Sequence, residues 1–112
     1  MIKSLGEVTA TSGTPERLTK NQSDPTARYA VHGFQVEALD DNVGKVYIGD
    51  REGMLTVSPR TGLIKVLPAP ATGVIPSWSV TKTAQPAGFN MANYWVDVEN
   101  TGEGVLVTAL VA

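Results

Sequence analysis

The sequence predicts an all-β fold, an antiparallel β-sandwich or jelly roll of about seven or eight short strands. Three observations lead to this prediction. Apolar and polar residues alternate over several short stretches, as they do in strands with one buried face. Eleven glycines and seven prolines are spread along the 112 residues, at intervals that suit turns between short strands. No stretch carries apolar residues at helical spacing over the length that a stable helix needs.

A chain of this length is expected to form one domain, which we assign to residues 1–112. Residues 11–27 are the most polar stretch, and we expect residues 1–27 to form an extended arm or an irregular N-terminal segment. Within it, residues 14–18 could begin a helix with Thr14 as its cap. A turn leading into a short strand fits the same residues at least as well, because few helix-forming residues follow.

The clearest predicted strand spans residues 31–39, in which Phe34 and Val36 point to one side and the polar residues between them point to the other. Asp, Asn and Gly at 40–44 favour a turn, since they tolerate left-handed backbone angles. The chain then continues into a strand at 45–49. We therefore predict that residues 31–49 form a hairpin.

Further strands are predicted wherever a short apolar or alternating run lies between turn residues. In chain order these are 54–57, 63–67, 77–81, 94–99 and 105–111. The last run is apolar on both faces, which predicts a central place in a sheet or burial against a neighbouring subunit.

The composition offers little of the chemistry that enzymes use. Without cysteine there is no thiolate catalysis, no disulfide and no cysteine-bound metal. His32 is the one histidine, and we interpret it as a structural or solvent-facing residue because no nucleophile–base pair is visible around it. Residues 97–102 are similar to the start of a calcium loop, but Thr108 stands where the bidentate acid is required, so a β-turn is the better interpretation. We predict a protein that is not an enzyme and has no metal or cofactor.

Charge and hydropathy narrow the classes of partner. A net charge of −2 argues against nucleic acid, which is bound by basic surfaces. No run reaches the roughly 18 apolar residues of a membrane span, so we expect no membrane partner. The first residues lack the apolar core of a signal peptide, which predicts a protein made and kept in a cytoplasm.

The run Asn42–Gly49, in which an Asn-x-Gly turn leads into Val-Tyr-Ile-Gly, resembles a pattern in small virion proteins of tailed bacteriophages. Three further segments, 13–18, 62–68 and 94–107, are similar to the same pattern. The resemblance implies a small β-sandwich that is built into the virion during assembly in the host cytoplasm. It implies a homo-oligomer, a dimer or a trimer, with the major capsid protein or other virion proteins as partners.

The role that this resemblance favours is capsid decoration, or cementing, in which the protein binds the outer shell and stabilises it. No catalytic residue carries over, because that role needs none. The residues that we expect to contact a partner are Phe89, Met91, Trp95, Leu106, Thr108 and Leu110.

Two alternatives stay open at this point. One is a neck, tail or fibre-associated virion protein on a similar sandwich. The other is a carbohydrate-binding module that stacks a sugar on Trp78 or Trp95. Trp95 lies on the opposite side of its strand from Tyr94 and Val96, and we interpret it first as an interface residue and second as a stacking platform.

Overall fold

The computed structural model of the chain describes residues 1–50, 62–81 and 89–111. Within these residues the regular structure consists of short β-strands and a 3₁₀ helix at Met91–Asn93. The strands are β1 (Ile2–Thr9), β2 (Glu16–Arg17), β3 (Ala30–Val31), β4 (Gly33–Ala38), β5 (Val46–Gly49), β6 (Leu63–Leu67), β7 (Ser77–Thr81), β8 (Phe89–Asn90), β9 (Trp95–Val98) and β10 (Gly104–Leu110).

Two antiparallel four-stranded sheets pack face to face, which confirms the predicted all-β sandwich. Sheet I has the strand order β1-β10-β4-β7, and sheet II has the order β2-β9-β5-β6. A two-stranded ribbon of β3 and β8 stands beside them. β10 lies inside sheet I with a partner on each side, as its apolar sequence predicts.

The core lies between the two sheets and follows from the period of two in their strands. From sheet I it receives the inward residues of β4 and β10, and from sheet II those of β5 and β9. They are Phe34, Val36, Ala38, Val105, Val107 and Ala109, facing Val46, Ile48, Val96 and Val98. All are buried, and each large apolar side chain contributes about 1.5–3 kcal/mol to folding.

The predicted hairpin over residues 31–49 is wrong. β4 pairs with β10 and β7 in sheet I, whereas β5 pairs with β6 and β9 in sheet II. The turn between them therefore crosses from one sheet to the other. The buried side chain of Asn42 holds this crossing, because its Nδ2 donates to the carbonyl of Gly104 at 2.8 Å and its Oδ1 accepts from the Gly104 N–H at 3.3 Å.

Residues 1–27, predicted as an extended arm or an irregular N-terminal segment, do not extend away from the sandwich, although they are irregular outside β1 and β2. β1 is an edge strand of sheet I, paired with β10 from Ile2 to Thr9, and the amino group of Met1 donates to the carbonyl of Val111 at 2.9 Å. Leu18 is wholly buried in the core. Between these points the chain makes a tight turn, with the Thr14 N–H bonded to the Thr11 carbonyl at 2.8 Å. The turn leads into β2, so of the two interpretations of residues 14–18 the turn and short strand are correct.

The strand predicted at 54–57 lies outside the described residues. The remaining predicted strands agree with β6, β7, β9 and β10 to within a residue or two at their ends.

Candidate functional site

The residues predicted to contact a partner lie in three separate places and do not form one site. Leu106, Thr108 and Leu110 share the outer face of sheet I, because alternate residues of β10 point away from the core. Trp95 lies on the outer face of sheet II, on the other side of the sandwich. Phe89 and Met91 lie in β8 and in the 3₁₀ helix that follows it.

Met91 is a core residue, so its assignment as a contact residue is wrong. Its side chain is 0% exposed, since the 3₁₀ helix turns it inward. The side chain of Asn90 fixes this helix: its Oδ1 accepts from the N–H of Ala92 at 3.1 Å and from the N–H of Tyr29 at 2.9 Å. The backbone of Phe89 pairs with Val31, and its side chain lies outside the described residues.

Three of the six predicted contact residues share the outer face of sheet I, more than share any other surface. The register brings residues of four strands together on it. They are Ile2, Ser4 and Glu7 of β1, Leu106, Thr108 and Leu110 of β10, Gly33, Gln35 and Glu37 of β4, and Ser77, Ser79 and Thr81 of β7. The two acidic residues lie beside Leu106, so the opposite end of the face, around Leu110, carries only uncharged side chains and is called the uncharged end.

A shallow apolar pocket of about 210 Å³ lies at this uncharged end. Its rim includes Ile2 and Leu110, which are adjacent in the register and are 76% and 39% exposed. Gly33 opens the pocket because it has no side chain, and a Cβ there would lie 2.8 Å from the carbonyl oxygen of Val80. Short side chains at Ser79 and Thr81 keep the far wall low. An apolar depression with an exposed apolar rim can bind a protruding apolar side chain of another protein.

Trp95 and Arg17 pack together on the outer face of sheet II. The guanidinium carbon of Arg17 lies 4.4 Å from the centre of the Trp95 ring, and its Nη1 donates to the carbonyl of Ala92. A pocket of about 220 Å³ beside this pair is also lined by Glu16, Lys20 and Pro25. One face of the Trp95 ring is therefore occupied by a cation and is not open for sugar stacking.

Trp78, the other predicted stacking platform, points to the inner face of β7. It packs edge-on against Phe34, with the ring centres 5.8 Å apart, and is half-buried against the core. Its geometry is that of a core residue at the border of a sheet.

Arg17→Ala is expected to lower the free energy of unfolding by about 1–2 kcal/mol, because it removes both the ring contact and the hydrogen bond to Ala92. Urea denaturation followed by circular dichroism measures the effect. Glu16→Gln is the matched control, since it breaks only the half-exposed ion pair between Glu16 and Lys20, whose atoms are 3.3 Å apart. Equal losses in the two variants would show that the Arg17–Trp95 contact contributes nothing of its own.

Three residues that could have offered catalytic groups, His32, Asp97 and Tyr94, have structural surroundings. The backbone N–H of His32, between β3 and β4, donates to the carbonyl of Leu110 at 2.8 Å. Asp97 is buried, and its Oδ1 accepts from the N–H of Gly13 at 3.0 Å and from the N–H of Val98 at 2.8 Å, so this carboxylate anchors the turn at 11–14. Burial, and then the charge of Asp50, raise the pKa of Tyr94 above its ordinary value of 10.0, the direction opposite to activation as a nucleophile.

Across residues 1–50, 62–81 and 89–111, His, Asp and Glu side chains do not gather in threes as a metal ion would require. Nor does this part of the chain contain a helix with the length and apolar content to cross a membrane. No family model, no curated protein and no solved structure matches this chain.

Sequence reasoning missed Ile2, Gly33 and the outer residues of β7 as parts of the uncharged face. The alternation in residues 77–81, which puts two serines and a threonine on one side, was a signal for the β7 contribution. Ile2 gave no such signal, because it lay in the stretch assigned to an arm.

Proposed function

We propose that this chain is a non-catalytic assembly domain that binds another protein through the uncharged end of the outer face of sheet I. The observation that carries the proposal is the exposed apolar rim formed by Ile2 and Leu110 around the pocket. The outer face of a sandwich sheet normally carries polar residues toward water, so an apolar rim there favours a protein partner.

The partner that we propose is the outer shell of a bacteriophage particle, with this chain as a decoration or cement protein. The support is the resemblance of Asn42–Gly49 and the three further segments to small virion proteins. A small sandwich suits that role, since many modest contacts, multiplied over an oligomer, give high avidity.

The experiment that tests this function is to measure the copy number of the protein in purified particles from its source, relative to the major shell subunit. A near-equal number supports decoration of the shell. A much smaller number favours a neck, tail or fibre-associated part instead. Absence from the particles overturns the virion proposal.

Leu110→Lys is expected to weaken binding to particles stripped of the protein by about tenfold or more, because it puts a charge on the apolar rim. The free energy of unfolding should change by only about 1 kcal/mol, since Leu110 is partly exposed. Co-sedimentation with particles measures the binding. Val43→Lys is the matched control, as Val43 is an exposed apolar residue of the turn at 40–44. Undiminished binding by Leu110→Lys would remove the outer face of sheet I from the binding surface.

A carbohydrate-binding module is the second candidate, and the pocket between Trp95 and Pro25 is the observation that favours it. Glycan-array binding that Trp95→Ala abolishes would support this function. An array without response would exclude it.

A further inference from the structure

The two edges of sheet I are protected to different degrees. At β1, Asn21 Nδ2 donates to the carbonyl of Glu7 at 2.7 Å and to that of Leu5 at 3.5 Å. Lys20 Nζ donates to the carbonyl of Thr9 at 3.1 Å. A register shift between Ser4 and Gly6 also interrupts this strand. Covered carbonyls and a bulge are devices that keep an edge strand from pairing with another chain.

The two edge strands of sheet II, β2 and β6, also have features that disfavour pairing with another chain. β2 is only two residues long, which is too short to support a new strand. β6 has Lys65 at its centre, and this residue is exposed. If β6 paired with itself in a symmetric dimer, Lys65 would face Lys65 of the other copy, and like charges directly opposite each other are unfavourable.

β7, the other edge of sheet I, carries no charged residue, and within residues 1–50, 62–81 and 89–111 no side chain hydrogen-bonds to its outer backbone groups. Its residues are Ser-Trp-Ser-Val-Thr, within an uncharged stretch that runs from 66 to 81. The Ala38 N–H donates to the carbonyl of Pro76 at 2.9 Å, so in this register the backbone groups of Trp78 and Val80 point toward β4. Those of Ser77 and Ser79 point away from the sheet, and no hydrogen bond within the described part of the chain reaches them.

The side chains of β7 are also incompletely covered. Trp78 and Val80 face the core but are only partly buried, because the sheet ends at their strand. The outward residues, Ser77 and Ser79, are small and exposed. A further strand laid against β7 would satisfy the backbone groups and cover the rest of Trp78 and Val80.

We propose that this strand is β7 of a second copy of the chain, in a two-fold symmetric antiparallel pair centred on Ser79. In this register Ser77 faces Thr81 of the second copy, and Ser79 faces its own equivalent. Pairs at 77, 79 and 81 exchange roughly six backbone hydrogen bonds. Trp78 then faces Val80 of the second copy, and an aromatic residue opposite a β-branched one is a favourable cross-strand pair. The two copies of sheet I become one continuous sheet.

Self-complementarity favours a second copy over an unrelated strand. In a symmetric pair, each residue of β7 must be compatible with the residue opposite it in the second copy. β7 meets this condition, because it has no charged residue and forms two Trp–Val contacts. The dimer does not depend on the proposed binding to a particle. Ile2 lies on β1, at the opposite edge of sheet I from β7, so its part of the rim stays uncovered.

Sedimentation of the purified chain over a range of concentrations tests the dimer. Ser79→Pro removes the N–H at the centre of the interface and is expected to raise the dissociation constant by about tenfold or more. This N–H points away from β4, so the fold should survive, which thermal unfolding checks. Ser79→Ala is the matched control, because it removes the same hydroxyl and keeps the N–H. Leu110→Lys should remain dimeric, which separates this interface from the one on the outer face.

A cross-link provides a second test that does not rely on proline. The chain has no cysteine, so Ser79→Cys introduces the one thiol. Directly paired residues that exchange both hydrogen bonds have Cα atoms about 5.5 Å apart, within the range that a disulfide spans. Mild oxidation is expected to give a covalent dimer for Ser79→Cys and little for Lys65→Cys on β6.

Three results would overturn the proposal. The first is a chain that stays monomeric at every concentration. The second is a dimer that Ser79→Pro leaves unchanged, and the third is equal cross-linking of Ser79→Cys and Lys65→Cys. A monomer whose particle binding is lost in Ser79→Pro but kept in Ser79→Ala would assign the β7 edge to a strand of a different protein instead.

Discussion

Gly104→Ala is expected to lower the free energy of unfolding by about 3 kcal/mol, the upper range for overpacking a core. A Cβ at Gly104 would lie 2.0 Å from the carbonyl oxygen of Val8 and 2.8 Å from the Cα of Thr9. Both are backbone atoms of the paired strand, so no side chain can rotate to make room. β1 would have to move away from β10, and the buried Asn42 would lose its hydrogen bonds to Gly104. Urea denaturation followed by far-ultraviolet circular dichroism measures the change.

Gly102→Ala is the control for this variant, two residues earlier in the chain. Gly102 has a φ of +92°, and no atom lies within 4 Å of the position that a Cβ would take. Substitution there is therefore penalised by the left-handed backbone angle and not by a steric clash. Its cost is expected to be about 1–2 kcal/mol, the penalty for a left-handed residue with a Cβ. If Gly104→Ala were no more harmful than Gly102→Ala, close approach of β1 and β10 would not be the reason for the glycine.

Leu18→Ala is expected to lower the free energy of unfolding by about 2–5 kcal/mol, the range for truncating a large buried side chain. Leu18 is 0% exposed and packs in the core between the sheets. Its N–H also donates to the carbonyl of Tyr94 at 3.0 Å, which fixes this segment beside β9. Thermal and chemical denaturation of the variant give the loss directly.

Val43→Ala is the matched surface control, because Val43 is 77% exposed and its truncation should change stability by about 0.5 kcal/mol or less. A Leu18 variant as mild as this control would mean that residues 10–27 lie outside the cooperative core. That result would favour the extended arm or irregular N-terminal segment predicted over residues 1–27.

The strands were predictable where the alternation is unbroken. In β4 the period of two assigns Phe34 and Val36 to the core, where the structure has them. The run of β10 is apolar on both faces, so it predicts a central strand but not which of its residues share the outer face. In β1 the register shift near Leu5 breaks the period. Ile2 and Glu7 therefore point to one face although an odd number of steps separates them, and no simple pattern shows it.

The pairing of the strands was not predictable from the same pattern. Alternation says which face of a strand is buried, but it does not say which sheet the strand joins. The turn at 40–44 has the composition of a hairpin turn, yet Asn42 bonds to Gly104, which is distant in sequence, and the strands separate. The burial of Met91 was not predicted for a related reason. A 3₁₀ helix of three residues is too short to show a repeating pattern of apolar residues in the sequence.

The position of β10 also has a consequence for how the chain acquires its fold during synthesis. β10 follows the other described strands in the sequence, yet it supplies the partner of β1 and one partner of β4. During synthesis, Ile2–Thr9 has no strand to pair with until Gly104–Leu110 has emerged from the ribosome. Such distant pairing makes folding slow and leaves apolar strands open to mispairing in the meantime. We therefore expect sheet I to form only after residues 104–110 have been made, in the milliseconds-to-seconds regime of β-sandwiches.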